Sequence, residues 1–62
     1  MKKRYMIITE GGDIIKMWDN KNKQMYLADE EDFTKVPGSL EQHLRFHPMA
    51  DIEETDTSLI NE

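Results

Sequence analysis

"RYMIITEGGDIIKMW", residues 4 to 18, is the stretch on which the fold turns. Two β-branched and aromatic runs flank Gly11 and Gly12, which accept the positive φ angles of a tight turn, so the segment reads as a hairpin. Further along, "DNKNK" at 19 to 23 is a polar loop and "QMYLA" at 24 to 28 a third strand-like run. Together they predict an antiparallel meander with loops of hairpin length, Asn20 and Asn22 supplying further positive-φ positions.

After Ala28 the pattern changes. "DEEDF" at 29 to 33 reads as a short acidic turn or a helical turn capped by Asp29, "VPG" at 36 to 38 breaks it, and "SLEQHLRFH" at 39 to 47 reads as a helix. Ser39 with Gln42 three residues later forms a capping-box pattern, and Pro48 supplies the stop. The expected fold class is therefore α+β: a three-stranded antiparallel β-meander packed on one C-terminal helix. Residues 1 to 50 make the single domain. Residues 51 to 62, "DIEETDTSLINE", make a flexible acidic tail, although "MADIE" at 49 to 53 could add an edge strand.

Alternation sorts the meander into two faces. Met6, Ile8, Ile15, Met17, Met25 and Leu27 form an aliphatic and thioether core face. Tyr5, Ile7, Thr9, Ile14, Lys16, Trp18, Gln24, Tyr26 and Ala28 fall opposite. One helix covers one face, so the second is expected to be an exposed aromatic patch of the kind that marks an interface, with pairing of two copies as one use of it, unless the register differs or the tail or "DFTKV" folds over that face.

With 62 residues the chain supports one domain, and at that length about 60% of the unfolded surface can be buried. The absence of cysteine removes disulfides and thiolate metal ligands as supports, and it fits a reducing, cytoplasmic setting. No apolar run approaches the roughly 18 residues that would cross a bilayer. The basic start "MKKRYMII" carries too short an apolar run for a secretory signal.

Net charge is −5, unevenly placed. Residues 1 to 24 hold six basic and three acidic residues, whereas residues 25 to 62 hold two basic and ten acidic. That balance repels nucleic acid and favours a protein partner with a basic surface.

His43 and His47 stand one helical turn apart, on the stripe with Leu40 and Leu44 that faces the sheet. Two imidazoles at this spacing can chelate zinc, but a stable site needs further ligands, and there is neither a cysteine nor a third histidine. Glu41 points elsewhere on the helix, and Leu44 stands where the hydrolytic zinc motif has glutamate. No metal or cofactor is expected, and the histidines are read as core-border or contact residues. Catalysis is not expected either, since so short a chain has little volume for a pocket of a few hundred cubic ångströms. "EGGD" at 10 to 13 lacks the lysine and hydroxyl residue of a phosphate loop.

The expected function is non-enzymatic protein binding. Tyr5, Ile14, Trp18 and Tyr26 form the apolar contact, and Asp29, Glu30, Glu31 and Asp32 address the basic partner. A small acidic inhibitor or modulator of phage type, acting on a nucleic-acid-processing protein by nucleic-acid mimicry, is the concrete form of that expectation. The alternative is a sheet-based nucleic-acid binder that stacks bases on Tyr5, Trp18 and Tyr26 and meets phosphates with Lys2, Lys3, Arg4, Lys16, Lys21 and Lys23.

Overall fold

The chain's computed structural model describes residues 3–30 and 32–59. Gly11 and Gly12 have φ of 60° and 86° and form a two-residue turn between β1 (Tyr5–Glu10) and β2 (Asp13–Asp19). Positive φ at both central positions matches the turn's twist to that of the strands it joins. A four-residue turn leads to β3 (Gln24–Ala28), and a second hairpin, in which the Asp29 backbone N–H donates to the Asp32 carbonyl, joins it to β4 (Phe33–Val36). Helix α1 (Leu40–Phe46) follows, and β5 (Asp51–Thr55) ends the fold.

The antiparallel sheet thus has five strands, not three, in the order β4-β3-β2-β1-β5. "FTKV" extends the meander. β5 returns to pair with the free side of β1, setting Ile52 beside Ile8 and Thr55 beside Tyr5. Residues 51 to 55, expected at the start of a flexible tail, are therefore a strand. β5 satisfies the backbone groups that β1 would otherwise present at an open edge.

Helix α1 forms where the cap and the break require it. The Ser39 hydroxyl accepts a hydrogen bond from the Gln42 backbone N–H, and the chain leaves the helix at His47, directly before Pro48.

The second correction concerns register. Glu10 pairs with Asp13 and Thr9 with Ile14, but Ile8 then pairs with Lys16, so Ile15 is an extra residue in a β-bulge. Beyond it, Ile7 faces Met17 and Met6 faces Trp18, a one-residue slip that turns the rest of β2 over. Trp18 therefore lies on the helix side in a cluster with Met6, Ile8 and Met25, against which Ile15, Val36, Leu40, Ala50 and Ile52 pack. Met17 lies opposite, with Tyr5 and Ile7, flanked by Tyr26 and Phe33. Neither face is the exposed aromatic patch expected: Trp18 is 8% exposed, and Tyr5, Ile7 and Met17 are buried as well.

Asp19 follows Trp18 and is itself buried. Its carboxylate accepts hydrogen bonds from Arg4 Nε and Nη2 (3.3 and 3.2 Å), from the backbone N–H groups of Lys21 and Asn22 (2.9 and 3.3 Å) and from Asn22 Nδ2 (3.1 Å). Burial pushes this carboxyl's pKa up, but the hydrogen bonds from Arg4, Asn22 and Lys21 together outweigh it and hold the pKa below the ordinary value. The same group thus organises the β2–β3 turn and ties it to the start of β1. Trp18 Nε1 donates to Asn20 Oδ1 at 2.8 Å, which gives the buried indole its polar partner.

Candidate functional site

Register also decides which charges meet. β1 and β3 run toward one end of the sheet, and β2, β4 and β5 run away from it. The Gly11–Gly12 turn, the loop of residues 29 to 32 and the entry to β5 therefore share that end. It gathers Glu10, Asp13, Asp29, Glu30, Asp32 and Asp51, all but Glu10 well exposed. The acidic half of the sequence is not simply one acidic half of the molecule; strand direction brings Glu10 and Asp13, from the basic half, to the same end.

The end of the helix and the turn that follows it leave the least covered apolar side chains. Phe46 is 72% exposed and Met49, two residues before Asp51, 90%. Phe46 lines a groove of about 300 Å³ whose walls include Lys16, Met25, Gly38 and Gln42. The chain thus does form a concavity at the lower end of ligand-site size, contrary to the expectation from its length.

His43 and His47 sit on the same wall. Alternation along β1 carries Glu10 to the helix side after Met6 and Ile8, and the bulge brings Lys16 to that side too. Glu10 Oε1 lies 2.9 Å from His47 Nδ1 and 3.9 Å from His43 Nε2. The imidazole rings stack with centroids 4.4 Å apart and planes within 9°. The His43 side chain is 3% exposed, and neither ring nitrogen has a hydrogen-bond partner among the described residues. Burial, the charge of Lys16 and the adjacent His47 lower its pKa against an opposing pull from Glu10. The carboxylate beside the histidines comes from the end of β1, from neither Glu41 nor the acidic runs.

Of the contact residues read from the sequence, Tyr5 and Trp18 are buried and Tyr26 is half-buried, so no exposed three-ring stacking platform exists. Ile14 remains exposed at 43%, at the same end as exposed Asp29, Glu30 and Asp32. Glu31 and Lys2 lie outside the described residues. Phe46, Met49 and Glu10 were missed. The first two follow the expected inward stripe too loosely to be marked as outward, and Glu10 is joined to the histidines only by strand pairing.

Among the described residues no helix is long and apolar enough to cross a membrane. No protein-family model, curated protein or solved structure matches the chain.

Proposed function

We propose that this chain is a non-enzymatic protein-binding module of the cytoplasm whose acidic end docks on a basic protein surface, with Phe46 and Met49 as anchors. The observation that supports it most is the exposure of these two side chains, Met49 two residues before Asp51 of the acidic end, in a fold whose other large aromatic groups are buried or half-buried. Exposed apolar groups rimmed by charge suit an interface: the charges speed encounter and the apolar groups slow release. A nucleic-acid-processing protein is the partner class that best fits such a surface, because carboxylates on a rigid end can occupy a groove built for phosphates. Trp18 serves this reading as the support beneath the surface, not as the anchor.

The test is capture from nuclease-treated lysate with the native protein, a Phe46→Ser/Met49→Ser variant and an Asp29→Asn/Glu30→Gln/Asp32→Asn variant. One basic protein retained by the native chain, weakened in both variants and displaced by added DNA is the expected result. Equal retention by all three, or recovery of nothing specific, would sink the proposal.

A further inference from the structure

We infer that Glu10, His43 and His47 form a binding site for a divalent transition-metal ion, zinc foremost. It stands independently of the protein-binding proposal. The three side chains offer one ligand atom each, all within 4.8 Å of one another. A tetrahedral zinc ion with bonds of about 2.1 Å needs its ligand atoms roughly 3.4 Å apart, so the cluster must tighten by about 1.4 Å at its widest pair, and the His47 ring must turn out of its parallel stack on His43 for both in-plane lone pairs to meet one ion. Glu10 and His47 are partly exposed and can make that adjustment, while His43 is held by the core.

The second observation is His43 itself. A buried imidazole with both nitrogens unpartnered leaves a polar group desolvated without compensation, a state native proteins rarely keep. Its Nε2 faces Glu10 Oε1 at 3.9 Å. A bound ion would satisfy that nitrogen and hold the histidines and the carboxylate around it. Three protein ligands beside an open groove leave a fourth position for water or for a donor from a partner. Lys16 is the opposing element: its charge on the same groove repels a cation and keeps the affinity moderate. Chelation through an i, i+4 histidine pair was legible in the sequence; the third ligand arrives from a strand 33 residues before His43 in the chain.

The test uses tag-free full-length protein titrated with zinc chloride by calorimetry near pH 7.5, where free imidazole is neutral, in about 0.15 M salt. One ion per chain with a dissociation constant of about 10 μM or below is expected. Cobalt(II) should give the intense visible absorption of a four-coordinate ion. Glu10→Gln and His47→Ala alter partly exposed side chains, so both variants should keep the native circular dichroism, and each should weaken zinc by about tenfold or more. Lys16→Met should tighten it. Failure to saturate at about 0.1 mM zinc, or affinity unchanged in both Glu10→Gln and His47→Ala, would overturn the assignment.

Discussion

Asp19→Ala should destabilise this protein by about 3 kcal/mol, a large part of what holds it folded. Domains carry about 0.05 to 0.15 kcal/mol per residue, which for 62 residues is about 3 to 9 kcal/mol. The Asp19 carboxylate accepts from two backbone N–H groups, Lys21 at 2.9 Å and Asn22 at 3.3 Å. Hydrogen bonds to a charged group contribute about 1.5 to 3 kcal/mol each, and the lower figure applies because water can reach the exposed turn once the carboxylate is gone. Two such bonds give about 3 kcal/mol. The Arg4 pair is left out of this sum because its guanidinium is substantially exposed and an ion pair of that kind is screened. Asp19→Asn keeps an oxygen for both backbone donors and loses the charge, so its cost should be nearer 1 kcal/mol.

Urea unfolding followed by Trp18 fluorescence reads this directly, since the indole is buried and bonded to Asn20 in the same turn. The midpoint should fall with little change in slope. The order native, Asn, Ala is the signature; a loss below about 1 kcal/mol for Asp19→Ala would refute the turn-anchoring role. The pH dependence supplies a second arm. Because the folded carboxyl titrates below its ordinary value of 3.8, its contribution is complete above that value and is lost as pH falls through the lower, folded value. The gap between native and Asp19→Asn should therefore be constant from neutral pH to about pH 5 and shrink below about pH 4. A gap that persists at the acid end would mean the charge is not what distinguishes the two.

Two further outcomes follow from the bulge and the turn. Trp18→Ala should cost about 3 to 5 kcal/mol in urea unfolding followed by circular dichroism, and Trp18→Phe clearly less; a loss below about 1 kcal/mol for Trp18→Ala would return the indole to the surface. Lys23 has φ of 54°, a left-handed conformation that costs a side-chain-bearing residue about 1 kcal/mol, so Lys23→Gly should raise the thermal midpoint by a few degrees. A lowered midpoint would show that the Lys23 side chain stabilises the turn by more than its strain.

Local chemistry, which neighbours along the chain determine, was legible residue by residue. Gly11 and Gly12 announced a turn that requires positive φ at both positions, Ser39 and Gln42 announced a cap, and Pro48 an end. The α+β class and the first three strands follow from such signals. β5 was legible only as the edge strand that "MADIE" could add and β4 not at all, because "DIEET" has one apolar residue and "FTKV" is four residues long, and both owe their strand state to the partners beside them. The face of Trp18 was likewise beyond the sequence. Strict alternation puts Met17 in the helix-side core, and a single extra residue at Ile15 exchanges the two; a bulge is chosen by the packing of both faces at once and leaves no residue type of its own. The histidine pair could be read from its spacing, but its carboxylate could not. Glu10 reaches His43 and His47 only because β1 lies under α1, and contact between residues so far apart in the chain is decided by tertiary structure alone.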